Sequence, residues 1–528
     1  MVGKAKQTAL KLKPAIFALV FALFGFAVSP AFADNWIKAE TDHFIVYSNN
    51  RANLTEEYSK NLEQFRYVLS AFHMNAAQRA IPVPKFEIYL VSRQRDLKEV
   101  WPEASEVSGF VTQCTNGLFA YSLYSGPTQG DQMSSLNVLF HEYAHIFMFQ
   151  NSRVAYPRWY IEGFAEFYGS TKIRGDQVVI GTVPRSRYLT LAQSNFRIKY
   201  EDMLIDGEAV QRGNDEEDNF YAQSTILTHY LMSDPERRAA LAAYISARNQ
   251  GEDPLVAFER TIGIKASELS ATMNRYMNGN ISATLYRLRN MPTPTPVITP
   301  LPASADKLML WDASAKGCAD AEYRPALLAK IRTEAAKFPQ DAFANAVLAR
   351  AEIVIGEEEK ALPFYTNLIA TEPNNSEAHF RLGQTLYLMA THDKLAANET
   401  NNSQIAKARN AFLRAYQLDP LNFVNLYYLS KTATRNANFP DESSLNAALE
   451  AYLLAPSNRT YAHNAAILAI YADLLTEARD ILQTIANNPH GGRLEQKYRD
   501  AISAINAGKT KSEVLRIIST PRPSSQAK

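Results

Sequence analysis

Prolines punctuate the second half of this 528-residue chain at near-regular intervals, and that spacing limits the folds open to it. They stand at 339, 373, 420, 456 and 489, with gaps of 34, 47, 36 and 33 residues. The gap of 47 shrinks to about 34 if His392 to Gln404, a polar and asparagine-rich stretch, is an inserted loop. Between the prolines the apolar pattern is almost wholly helical. Proline cannot continue a helix, so each one marks the junction between successive helix pairs. A period near 34 residues predicts helix pairs stacked in series. A non-repeating helical bundle is the alternative. Small Ala361 and Ala408 let neighbouring helices approach, while Tyr365 and Phe412 fill the space between pairs.

The length calls for two or three domains. The run from Met291 to Pro302, with proline at 292, 294, 296, 300 and 302, cannot form a regular element and is expected to be extended and semi-rigid. It places a linker at 291–305 between a first domain over 34–290 and a helical repeat domain over 306–519. A polar tail over 520–528 is expected to be disordered. At the other end, Lys4, Lys6, Lys11 and Lys13 precede an apolar run from Ala15 to Val28, and Ala31-Phe32-Ala33 supplies an A-x-A site. This reads as a secretory signal peptide over 1–33, cleaved after Ala33, and implies a periplasmic or secreted protein. An uncleaved anchor is the alternative, but the run is short for the ~20 residues of a membrane span. No stable membrane span is expected after cleavage.

Losing residues 1–33 removes four lysines and no acid, leaving 51 basic against 54 acidic side chains, a balance of −3. Nothing in that balance suits nucleic acid. Cys114 and Cys318 fall in different expected domains. Export would permit a bond that pins the two together, although two independent buried thiols are the favoured reading.

Residues 34–135 mix strands and helices. His43–Ser48 and Lys85–Val91 are strand-like, and Leu54 to Phe72 reads as a helix from the spacing of Leu62, Phe65, Val68 and Leu69. Asn116-Gly117 between two apolar runs signals a hairpin, whose sheet edge could hold an extended peptide or be an ordinary buried hairpin. Next comes His141-Glu142-Tyr143-Ala144-His145, an H-E-x-x-H inside an apolar run that Ser134 or Ser135 can cap. On a helix, positions i and i+4 share a face, so both imidazoles can reach one ion. A second helix from about Pro157 carries Glu162 and Glu166, again at i and i+4. Two imidazoles and a carboxylate make a hydrolytic zinc set with one open position for water, and Glu142 stands where a general base belongs. Buried polar spots or solvated carboxylates are the alternatives. His73 and His229 have no partner pattern and read as structural, and Asp215 to Asp218 as a solvated loop bordering the cleft.

H-E-x-x-H followed by Trp159-Tyr160-Ile161-Glu162-Gly163-Phe164-Ala165-Glu166 resembles the gluzincin metallopeptidases, in particular their peptidase MA-like group, over residues 34–290. The resemblance implies an α+β domain in which a mixed sheet supports the active-site helices. It implies His141, His145 and Glu162 as zinc ligands, Glu142 as general base, and Glu166 orienting His141. Tyr221, leading the segment Tyr221 to Leu231, matches a tyrosine that donates to the tetrahedral oxyanion in related aminopeptidases; core packing is its alternative role. The G-A-M-E-N segment of those aminopeptidases is missing, so aminopeptidase specificity does not follow. The segments Ala408 to Pro420, Ala361 to Pro373 and Leu382-Gly383 resemble tetratricopeptide repeats, implying an all-α solenoid that recruits protein partners or substrates. Together these imply an exported zinc peptidase acting on peptides or proteins. A repeat scaffold with a structural or vestigial metal site is the competing reading.

Overall fold

The computed structural model describes residues 36–104, 107–124, 135–152, 154–193, 197–205, 214–395, 398–433, 439–486 and 494–519. The expected signal peptide, the tail from 520 and Ser134 lie outside them. The chain is mixed α/β, with a six-stranded mixed sheet and a helical C-terminal region. Among the described residues the strands are β1 (Ile37–Glu40), β2 (Phe44–Ser48), β3 (Phe86–Val91), β4 (Gly109–Cys114), β5 (Gly117–Leu123), β6 (Lys172–Arg174), β7 (Gln177–Ile180), β8 (Thr284–Arg287) and β9 (Val297–Pro300). The large sheet runs β4-β5-β3-β2-β1-β9, and a small antiparallel one runs β6-β7-β8. β2, β3 and β5 are parallel, while β4, β1 and β9 pair antiparallel with their neighbours.

Side chains alternate across a strand, and here each face of the sheet has a different partner. Phe44, Val46, Phe86, Ile88, Leu118 and Ala120 point to one face and pack on the helices Ala52–His73 and Ser135–Gln150. Tyr89, Phe119 and Tyr121 point to the other and pack on Met309 and Ala313 of the helix Ala305–Lys316. The strand, helix and hairpin expectations over residues 43–123 therefore hold. Asn116-Gly117 turns β4 into β5, with Gly117 at φ +141°, and β4 is the outermost strand beside the helix Ser135–Gln150.

Two expectations about the connection between the halves are corrected. The proline-rich run does form a regular element: Val297–Pro300 is β9, paired with β1. As an edge strand it has one side on which a proline without an N–H is tolerated. The cysteines are not independent thiols. Cys114, at the end of β4, and Cys318, just past the helix Ala305–Lys316, form a disulfide with Cα atoms 6.3 Å apart across 204 residues of sequence. The hairpin docks on the helical region: Asn458 Nδ2 donates to Cys114 O at 2.8 Å, and Tyr461 Oη to Thr115 O at 3.0 Å. Tyr121 Oη likewise donates to Ala313 O at 2.9 Å. That docking is what brings the two sulfurs together.

Beyond residue 304 helix follows helix; four of the five punctuating prolines stand at real junctions, and Pro489 lies outside the described residues. Pro339, Pro373, Pro420 and Pro456 each separate one pair from the next. Two residues after each stands Asp341, Asn375, Asn422 or Asn458, whose side chain accepts a backbone N–H in the first turn of the following helix. Proline ends one helix and the Asp or Asn starts the next. Ala361, Tyr365, Ala408 and Phe412 are all buried. A Cβ on Gly383 would lie 2.7 Å from the Phe412 ring, so this helix contact is as close as backbone permits. The insertion is shorter than expected, because the helix Asn401–Leu418 already includes 401–404. Gln404 is buried there and donates to Leu386 O at 3.1 Å, which anchors that first turn.

Candidate metal centre

Two buried helices build the centre. Ser135–Gln150 presents Leu139, Phe140, Tyr143, Ala144, Ile146 and Phe147 to the core, so His141 and His145 are carried in among apolar side chains. Every residue of Arg158–Gly169 is buried. Two glycines let that second helix sit so deep. A Cβ on Gly169 would meet His141 Cβ at 3.1 Å, and one on Gly163 would meet Thr228 Oγ1 at 1.9 Å on the helix Asn214–Met232.

The expected ligands converge. His141 Nε2 and His145 Nε2 are 3.1 Å apart, and Glu162 Oε2 lies 3.5 Å from each. Tetrahedral bonds of ~2.0–2.1 Å to one zinc ion require donors about 3.3 Å apart, so the three atoms fit around such an ion. Among the described residues, these three form the group of His, Cys and acidic side chains spaced to hold a metal. Exposure is 8 % for His141, 7 % for His145 and 1 % for Glu162. Burial alone pulls the His141 imidazole down, but Glu162, Glu166 and Glu142 outweigh it and push its pKa up to about 9. The pocket therefore favours positive charge at the imidazole edge, as a proton or a metal ion.

Glu142 is half-buried, unlike His141, His145 and Glu162, and its charge is felt at both His141 and Tyr221. Tyr221 stands beside the pair, its ring centroid 6.4 Å from that of His141. Burial, then Glu162, Glu217 and Glu142, raise its phenol well above the usual range, so it stays a proton donor. Glu166 lies on the far side of His141, with Oε1 3.7 Å from Nδ1. That exceeds a hydrogen bond.

The closer partner of Glu166 is a residue that sequence reasoning misses. Arg187, on the helix Arg185–Gln193, donates to Glu166 Oε1 from Nε at 3.1 Å and from Nη2 at 2.8 Å. Its guanidinium also lies 5.0 Å over the Tyr221 ring and 3.6 Å from Asp218. One cation thus ties together a buried carboxylate behind His141 and the tyrosine beside it. It stands outside both motifs, and its only signal in the sequence is being a basic residue some twenty positions from Glu166. The acid run is corrected too: Glu216, Glu217 and Asp218 belong to the helix Asn214–Met232, not to a loop. His229 and His73 are structural as expected. His229 bonds Tyr276 Oη at 2.7 Å and Gly181 O at 2.8 Å, and His73 bonds Tyr168 Oη at 2.8 Å.

No protein-family model matches this chain, and no curated protein is significantly similar to it in sequence.

Proposed function

We propose that the protein is an exported zinc-dependent peptidase. The observation that carries this is the convergence of His141 Nε2, His145 Nε2 and Glu162 Oε2 at 3.1–3.5 Å, with half-buried Glu142 and Tyr221 next to them. Zinc held there supplies Lewis acidity and makes water acidic near neutral pH. Glu142 takes the proton of the attacking water and hands it to the leaving amine. Tyr221, kept protonated, donates a hydrogen bond to the oxygen on which negative charge develops. β4, an edge strand beside the histidine helix, offers backbone groups to an extended substrate. The disulfide supports the exported reading, since such bonds persist in oxidising compartments. No described helix is long and apolar enough to cross a membrane.

We further propose that the tetratricopeptide-like helical region recruits protein substrates or partners. A cavity of about 820 Å³ between its first helices and the sheet face opposite the metal centre, reached by Tyr47, Tyr89, Arg350 and Arg381, supports that role.

The test compares wild type with Glu142→Gln for zinc content and peptide cleavage. The variant is expected to keep one zinc per chain and to lose cleavage by ~100-fold or more. Equal cleavage by both removes Glu142 as the base. A scaffold with a structural metal site is the second reading, favoured by how deeply the ligands are buried. Normal partner binding by a metal-free His145→Ala protein, with no hydrolysis by wild type, selects it.

A further inference from the structure

The helix that carries Glu162 has a second chemical face. Residues 160 and 168 fall on the stripe opposite 162 and 166, because two positions of an α-helix subtend about 200°. Tyr160 and Tyr168 thereby line a separate cavity of about 540 Å³ behind the metal centre. Phe72, Tyr156, Leu241 and Ile245 complete its apolar wall. Asn249, on its wall, is held in place. Asn249 Nδ2 donates to Ala155 O at 3.0 Å and Asn249 Oδ1 accepts from Ala155 N at 2.9 Å, which ties the loop before Pro157 to the helix Pro235–Asn249.

Arg238 lines this cavity. Its Nε is buried and has no hydrogen-bond partner. Among the described residues no carboxylate forms an ion pair with its guanidinium; Asp234, four residues earlier at the cap of the same helix, feels its charge. That charge is felt too by His73, Tyr160 and Tyr168. Arg238 is half-buried beside these rings, and its planar guanidinium fork matches a carboxylate. The volume falls in the range of roughly 300–1,000 Å³ typical of small-molecule sites.

We propose that this cavity binds an apolar carboxylate, its single negative charge received by Arg238 and its hydrocarbon body packed against the aromatic wall. The ligand chemistry has two possible sources: a free fatty acid, or the carboxyl-terminal apolar residue of a polypeptide. The site is independent of whether the metal centre hydrolyses anything.

Calorimetric titration of the full chain tests this with four probes: decanoate, decanol, and an acetylated leucine-terminated peptide as free acid and as amide. Saturable binding of one decanoate per chain is expected, with decanol at least ~10-fold weaker, the usual scale for losing a charged hydrogen bond. Arg238→Gln is expected to bring decanoate down to the decanol level. Ala242→Trp, an exposed position on the cavity wall, is expected to abolish both. Free-acid peptide binding without amide binding points to a chain terminus, and decanoate binding alone points to a fatty acid. The proposal is overturned if neither carboxylate saturates, if each carboxylate binds no better than its uncharged counterpart, if Arg238→Gln binds the carboxylate as wild type does, or if Ala242→Trp binds as wild type does. Should Arg238→Gln fail to fold, the decanoate and decanol comparison on the unaltered chain still decides.

Discussion

Gly163→Ala should destabilise this protein and loosen its metal centre, against the ordinary effect of that substitution. In an unobstructed helix, Gly to Ala gains roughly 0.5–1 kcal/mol, because glycine loses more backbone freedom on folding. At 163 the added Cβ would lie 1.9 Å from Thr228 Oγ1, 2.7 Å from Thr228 Cβ and 2.6 Å from Ser224 O. Turning the Thr228 side chain relieves only the first contact. The backbone oxygen of Ser224 must retreat about 1 Å to reach ordinary contact distance, so the two helices must part. Overpacking of this kind costs about 1–3 kcal/mol, so the net effect is a loss of up to about 2.5 kcal/mol. Glu162 is the adjacent residue, so the same displacement pulls its carboxylate off the histidine pair. Zinc affinity should fall ~10-fold or more, the scale seen when a ligand's support is disturbed. Thermal melting of the metal-free protein reads the first effect, and competition with a chelator reads the second. A Gly163→Ala protein that melts no lower and holds zinc as tightly as wild type would show that this helix contact does not set the position of Glu162.

Arg187→Gln leaves the buried Glu166 carboxylate without its cation; a stability loss of about 3 kcal/mol and a ~10–100-fold weaker zinc affinity are expected from melting and chelator competition, and unchanged values refute the coupling. Reduction of Cys114–Cys318 should lower the melting temperature, since closing a loop of 204 residues stabilises by up to ~5 kcal/mol on chain-entropy grounds. A Cys114→Ser/Cys318→Ser protein should melt lower without reductant and ignore it, whereas a wild type indifferent to reductant refutes the bond's contribution. His463 supplies a pH test. Burial, helped by Lys497 and Lys431, holds its pKa down at about 4, below the ordinary 6.5. Between those values the unfolded chain takes a proton that the fold refuses, so stability falls as pH drops from 6.5 towards 4, by at most ~1.4 kcal/mol per pH unit. His463→Gln should show a shallower loss of urea resistance between pH 7 and pH 5, and an identical slope in both proteins removes His463 from the account.

Much of the centre is legible in the amino-acid order, because its information is local. The spacing of His141 and His145 on a helix places two imidazoles on one face, and Glu162 with Glu166 repeats the same interval on the next helix. Asn116-Gly117 specifies a turn through backbone conformation, and the prolines at 339, 373, 420 and 456 specify helix ends through a missing N–H. Their partners two positions on, Asp341, Asn375, Asn422 and Asn458, follow the capping rule, although the spacing of the prolines alone suffices to draw the junctions. Arg187 is not legible, since nothing local distinguishes it from other arginines. It matters only because a third helix delivers it to Glu166 and Tyr221.

What the sequence alone determined is therefore the set of elements and the side chains each carries: two imidazoles, a neighbouring carboxylate, further carboxylates on the following helix, and a train of helix pairs. Periodicity, caps and turns are short-range, so they can be read in order. Which surfaces meet was decided only by the tertiary structure. Close packing at Gly163 and Gly169 seats the carboxylate helix against its neighbours, β9 draws the proline run into the sheet, and docking of the β4–β5 hairpin brings Cys114 to Cys318. Such contacts join residues tens to hundreds of positions apart, and burial and shape complementarity between whole elements select them, which no local pattern records.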